Sequence, residues 1–132
     1  MNTRPIKVML VDDEEAYVAL LEERLRLRGL DVVCAFRGEA ALNILEKEPV
    51  DVVVLDLSMP GLSGLETLAE IKRRHPKIEV ILLTGHADID ASIKGVSLGA
   101  FEFLVKPIEI EELHYRIEDA FFVQSPKRRR KP

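Results

Sequence analysis

Tryptophan is absent from this chain and cysteine occurs once. A lone cysteine rules out an internal disulfide. Cys34 lies in the apolar stretch Val32-Val33-Cys34-Ala35-Phe36, where a buried core thiol is expected. A single free thiol suits a reducing compartment, so the expected location is the cytoplasm. No apolar run approaches the roughly 20 residues needed to cross a bilayer, and no membrane partner is expected. The opening Met1-Asn2-Thr3-Arg4-Pro5 leads into a short apolar run, without the longer apolar core and cleavage site of an export signal. No glycine-rich loop follows that run, which argues against nucleotide binding of the dinucleotide or P-loop kind. The three histidines show no metal-ligand spacing: His75 and His114 lie in helical patterns and His86 in an exposed loop.

What is present is one domain's worth of chain, 132 residues, of ordinary globular composition. The formal net charge of −4 is unevenly spread. Without the five positive charges of Lys127-Arg128-Arg129-Arg130-Lys131 the remainder carries −9, so an acidic body precedes a basic tail. An acidic body does not suit direct nucleic-acid binding, but it suits a protein that gathers a divalent cation. The expected organisation is a folded domain over residues 1–124 and a basic, disordered tail over 125–132, where Ser125, two prolines and the charge run cannot build a core.

Five strand-like runs, Ile6 to Val11, Val32 to Phe36, Val50 to Leu55, Ile78 to Leu83 and Phe101 to Val105, alternate with helical patterns. The runs are continuously apolar and rich in Val and Ile, as in parallel strands covered on both faces. The intervening stripes are Tyr17, Leu21 and Leu25, stopped by Gly29; then Ala41, Leu42 and Leu45, closed by Pro49; then Leu65, Leu68 and Ile71, ending before Pro76. Ile89, Ile93 and Val96 mark a fourth helix, and Ile110, Leu113, Ile117 and Phe121 a fifth. Such alternation predicts an α/β domain with helices on both faces of a parallel sheet.

In such sheets functional groups collect beyond the carboxyl ends of the strands. Asp12, Asp13 and Glu14 follow the first run, Asp56 the third, Thr84 and Gly85 the fourth, and Lys106-Pro107 the fifth. Three aspartates brought together repel one another unless a cation joins them. Mg²⁺ takes a few carboxylate oxygens plus waters and phosphate oxygens. A carboxylate can itself be a nucleophile and form an aspartyl phosphate. Thr84 offers a hydroxyl and Lys106 an ammonium to phosphoryl oxygens, and Gly85 has no side chain to obstruct them.

Val-Asp-Asp-Glu at 11–14, Leu-Asp-Leu-Ser-Met-Pro-Gly at 55–61, Leu-Thr-Gly-His at 83–86 and Gly-Ala-Phe-Glu-Phe-Leu-Val-Lys-Pro at 99–107 resemble the signature segments of bacterial two-component response-regulator receiver domains. The resemblance spans about residues 5 to 123. It implies a flavodoxin-like (βα)5 fold with strand order 2-1-3-4-5. It implies phosphorylation at Asp56, and Mg²⁺ held by Asp12, Asp13, Asp56 and the backbone carbonyl of Ser58, with Asp13 the more direct ligand of the acidic pair. It implies phosphoryl binding by Thr84, Gly85 and Lys106, a cis bond before Pro107, and a switch pair of Thr84 and Phe103, though Phe103 reads equally as a core phenylalanine. Gly64 resembles the family's small residue opening the third helix, and Pro60-Gly61 suits a turn beside the acceptor. The implied partners are a sensor histidine kinase or phosphotransfer protein, and an effector or second copy at the face of the fourth helix, fifth strand and fifth helix. Such a protein is a switch that catalyses only its own phosphorylation and slow dephosphorylation.

A different class, the aspartyl-phosphate phosphatases of haloacid-dehalogenase type, expects a second aspartate two residues after the nucleophile, where this sequence has Ser58. A third, nucleic-acid binding through the basic tail, would rest on phosphate contacts alone. The fourth helix has a weak pattern and carries Gly95 at its middle, at a cost of about 1 kcal/mol relative to alanine, which makes it a marginal helix.

Overall fold

The computed structural model describes residues 4–58 and 63–124. The turn expected at Pro60-Gly61 and the tail expected after Gln124 lie outside the described residues. Five strands, β1 (Lys7–Val11), β2 (Asp31–Ala35), β3 (Val52–Asp56), β4 (Glu79–Thr84) and β5 (Glu102–Val105), form one parallel sheet. They alternate with α1 (Glu15–Leu27), α2 (Gly38–Lys47), α3 (Gly64–Arg74), α4 (Ile89–Ser97) and α5 (Ile110–Gln124). The sheet order is β2-β1-β3-β4-β5. The sequence therefore reverses direction across the sheet between β1 and β3, which opens a crevice at their carboxyl ends.

The continuous apolar runs are explained by two cores. Val8, Leu10, Val52, Val54, Ile81 and Leu83 pack on the α1 and α5 side with Leu21, Leu25, Leu113 and Ile117. Their neighbours Met9, Val11, Val53, Leu55, Val80 and Leu82 pack on the other side with Leu42, Leu45, Leu68 and Ile71. Successive strand residues point to opposite faces, so a strand covered on both faces must be apolar at every position.

Several sequence expectations are corrected. The buried stripe of α1 is Val18, Leu21 and Leu25, and Tyr17 is only half-buried. Gly29 ends that helix at φ 91°, in the left-handed region. Phe36 is outside β2 and 40% exposed, and Asp56 and Thr84 are the last residues of their strands. Cys34 is only partly buried, because β2 is an edge strand. Burial, reinforced by Glu22, pushes its thiol up to about 11. In α4 the expected stripe is turned outward: Ile93 is 56% and Val96 39% exposed, while Ser92 and Gly95 are buried. A Cβ on Gly95 would lie 2.4 Å from Leu82 Cδ1, so the glycine lets α4 sit close on β4.

Candidate functional site

The crevice gathers its groups from four strand ends. Each of these strands brings its last residue or the ones just after it to the same edge, so groups far apart in sequence meet. One carboxylate oxygen from each of Asp12, Asp13 and Asp56 lies within 4.8 Å of the others. A cleft of about 360 Å³ is lined by Asp13, Glu14, Asp56, Ser58, Gly85, Asp88 and Lys106.

Asp12 and Asp56 are almost fully buried, whereas Asp13 is exposed to the cleft. Asp12 is fixed on both sides: Oδ1 accepts from the Glu14 backbone N–H at 2.9 Å and Oδ2 from Lys106 Nζ at 3.1 Å. The Lys106 ammonium also stands 3.4 Å from Glu14 Oε1 and 3.6 Å from Asp56 Oδ1. Its fourth neighbour is the Tyr17 ring, whose centroid is 5.0 Å away, a cation–π contact. Lys106 is placed by β5, since its backbone N–H donates to the Thr84 carbonyl at 2.7 Å, and the Lys106-Pro107 bond is cis.

The electrostatics follow from this crowding. Burial raises the Asp56 carboxyl above its ordinary range, and the Asp12 charge adds to the effect, while Lys106 and a hydrogen bond with the Ser58 backbone oppose it. Burial pulls the Lys106 ammonium down, but the Asp12 hydrogen bond and the charges of Asp12 and Asp56 more than offset it, and its pKa ends above the ordinary value. Burial likewise raises the Tyr17 phenol, and its hydroxyl has no hydrogen-bond partner among the described residues.

From the segment between β3 and α3, Ser58 lines the cleft. Helix α3 begins with a capping box: the Ser63 hydroxyl accepts from Glu66 N–H at 3.1 Å and Glu66 Oε1 accepts from Ser63 N–H at 3.0 Å. Gly64 permits that start, because a Cβ there would come within 2.5 Å of Leu57 Cα. The Ser58 hydroxyl donates to Asp88 Oδ2 at 2.6 Å, tying this loop to the turn before α4.

Of the residues singled out in the sequence, Asp12, Asp13, Asp56, Ser58, Gly85 and Lys106 meet around this crevice. Thr84 does not line the cleft; it is fully buried, and its hydroxyl donates to the Gly85 carbonyl at 3.3 Å. Gly85 is not required by packing, since a Cβ there would meet nothing within 4 Å among the described residues. Phe103 is half-buried on β5, paired with Leu82 and packed with the α2–α3 core. His86 lies in an exposed 3₁₀ turn (His86–Asp88). Sequence reasoning missed Tyr17, read as part of a core stripe, and Asp88, whose contact with Ser58 has no signal in sequence spacing.

The donor set suits a hard cation. Three carboxylates within reach of one point, two of them buried, with open cleft volume for water and phosphate oxygens, match what Mg²⁺ prefers.

Residues 8–118 match the family described as the response regulator receiver domain. The transcriptional regulatory protein GlrR of Escherichia coli is 36% identical over 126 residues, covering 96% of this chain and 28% of that protein. The DNA-binding transcriptional regulator NtrC of the same species is 38% identical over 113 residues, covering 86% of this chain and 24% of that protein. The chain thus spans about a quarter of the length of these curated relatives. Among solved structures, a response regulator receiver domain protein from Clostridium thermocellum superposes with a TM-score of 0.88 at 35% identity, covering 92% of this chain and 98% of that one. NtrX from Brucella abortus superposes with a TM-score of 0.88 at 30% identity, covering 94% of this chain and 29% of that one.

Proposed function

The chain belongs to the response regulator receiver domain family, and from that premise we propose that Asp56 is the phosphoacceptor of a Mg²⁺-dependent switch. The observation that carries the reading is the position of Asp56: a buried carboxylate facing an open cleft, flanked by two further aspartates and a lysine. Poorly hydrated, it has fewer water hydrogen bonds to shed before it attacks.

An Asp56 oxygen bonds to phosphorus as the bond from phosphorus to the donor breaks, and the leaving group departs with the electron pair. The phosphoryl donor is a phosphohistidine of a sensor kinase or phosphotransfer protein, or a small acyl phosphate. Asp12, Asp13, Asp56 and the Ser58 carbonyl would hold Mg²⁺, which supplies positive charge to the transferring oxygens. Lys106 adds a second positive charge: its ammonium holds Asp12 and Asp56 in place before transfer and is within reach of a phosphoryl oxygen afterwards. Thr84 and Gly85 offer the remaining hydroxyl and backbone donors once the β4–α4 turn moves.

The domain is a signalling switch that turns over only its own aspartyl phosphate, and the cytoplasm is its place of action. Among the described residues no helix is long and apolar enough to cross a membrane. Readout falls on the face of α4, β5 and α5, where Ile93, Val96, Leu98 and Tyr115 are exposed and where an effector or a second copy would bind. The acidic body argues against direct nucleic-acid contact by this domain, although relatives such as NtrC are named as DNA-binding regulators.

Two measurements test the proposal. Intact mass after incubation with acetyl phosphate and Mg²⁺ should show one phosphoryl group on the wild type and none on Asp56→Asn. Sustained turnover of p-nitrophenyl phosphate would instead indicate a phosphatase of haloacid-dehalogenase type.

A further inference from the structure

Asp88 is the N-cap residue of α4, and its side chain is not used as a cap. An aspartate at this position ordinarily accepts a hydrogen bond from an amide of its own first helical turn. Among the described residues the Asp88 carboxylate makes no such bond. It accepts instead from the Ser58 hydroxyl at 2.6 Å, across 30 positions of sequence. That length is typical of a strong, charge-assisted O–H···O⁻ bond. The Asp88 backbone is nevertheless already seated at the helix start. Its N–H donates to the Gly85 carbonyl at 3.1 Å, and its carbonyl accepts from the buried Ser92 hydroxyl at 3.0 Å. Its backbone, at φ −110° and ψ 18°, lacks the extended conformation usual for a capping residue, so a local backbone turn as well as a side-chain rotation separates the two uses of the carboxylate.

The helix that forgoes this cap is the one that most needs it. Helix α4 has nine residues, carries Gly95, and leaves Ile93 and Val96 exposed. Short helices depend on their ends and on tertiary packing for stability. Ser58 and Asp88 also line the same cleft as Asp56. That cleft sets four carboxylates, Asp13, Glu14, Asp56 and Asp88, against one ammonium, Lys106. A phosphoryl group on Asp56 would add negative charge there and repel the Asp88 carboxylate.

We infer that Asp88 is a positioning residue with two alternative partners: it clasps the Ser58 hydroxyl in the resting domain and turns to cap α4 when Asp56 carries a phosphoryl group. The second half rests on the proposed role of Asp56; the first stands on the resting geometry alone. The exchange couples the cleft to α4 without passing through Thr84.

The test is amide hydrogen exchange at residues 90–92 of the full chain, with and without Mg²⁺ and beryllofluoride. Removing the clasp in Ser58→Ala frees Asp88 to cap, so exchange in the resting protein should slow about fivefold, the factor one aspartate cap gives. Ser58→Thr, which keeps the hydroxyl, should exchange like the wild type. Beryllofluoride should slow exchange in the wild type, add little to Ser58→Ala, and leave Asp88→Ala fast in both conditions. Unchanged or faster exchange in resting Ser58→Ala overturns the clasp. Equal beryllofluoride protection in Asp88→Ala and wild type overturns the cap. Intact mass after acetyl phosphate separates the two readings. If Asp56 takes no phosphoryl group, the trigger and the exchange of partners fall, while the Ser58→Ala and Ser58→Thr comparison still decides the clasp.

Discussion

Replacing Asp56 by asparagine should stabilise the metal-free domain while abolishing its chemistry. The substitution keeps the shape and removes one buried charge. At an effective dielectric of about 20, unit charges 4.8 Å apart repel by about 3.5 kcal/mol. Loss of the repulsions from Asp12 and Asp13 therefore releases about 7 kcal/mol, while loss of the Lys106 attraction at 3.6 Å costs about 4.6 kcal/mol. Asp13 is exposed and its share is screened to about 1 kcal/mol or less, so the pairwise charges nearly cancel, and the net gain comes from no longer burying the Asp56 charge, on the order of 1 kcal/mol. For a domain of this size that is roughly 3–5 °C in Tm. The pH dependence has a definite sign. The native Asp56 pKa is raised, so protonation favours the fold: stability linked to this group is fully present below the unfolded carboxylate value of about 3.9 and lost as pH rises through the native value. The advantage of Asp56→Asn should therefore be largest near neutral pH and shrink on acidification. Thermal melts of both proteins in chelator, from neutral pH downward, check this. An asparagine variant less stable than wild type at neutral pH, or a gap that widens on acidification, refutes the reasoning.

Millimolar Mg²⁺ should raise the wild-type Tm by relieving carboxylate repulsion, and Asp13→Ala should lose most of the shift; equal shifts in both would place the ion elsewhere. Gly95→Ala should destabilise by about 1 kcal/mol net, because overpacking against Leu82, worth about 1–3 kcal/mol, outweighs the gain in helix propensity; denaturant melts decide it, and a more stable variant would contradict the close seat of α4 on β4. Ile93→Glu should fold and accept a phosphoryl group normally, since the side chain is exposed, yet lose binding to an effector or second copy, measurable by sedimentation or pull-down of the beryllofluoride form.

Much of this architecture was legible because burial on both faces forces apolar residues at every strand position, and the residue after each run then falls at one sheet edge. Asp12, Asp13, Asp56 and Lys106 were found that way. Periodicity failed where it could not say which helix face packs. In α4 the regular Ile93 and Val96 suggest a core stripe, but Gly95 lets the helix close on Leu82 and turns those residues to solvent. In α1 the buried repeat starts at Val18, and Tyr17 turns toward Lys106. Cys34 stands in an apolar run but on an edge strand, which run composition does not reveal. The Thr84 hydroxyl, expected at the phosphoryl site, is buried at the end of β4 and donates to the Gly85 carbonyl. The Ser58–Asp88 bond joins two loops whose meeting depends on the whole sheet order.

The central claim is that Asp56 alone takes the phosphoryl group. Borohydride reduces an aspartyl phosphate to homoserine, so peptide sequencing after phosphorylation and reduction reads the acceptor directly. Homoserine at position 56 and nowhere else is the expected result. Homoserine at Asp12, Asp13 or Asp88, or a phosphoryl group that survives reduction on another side chain, would contradict the account.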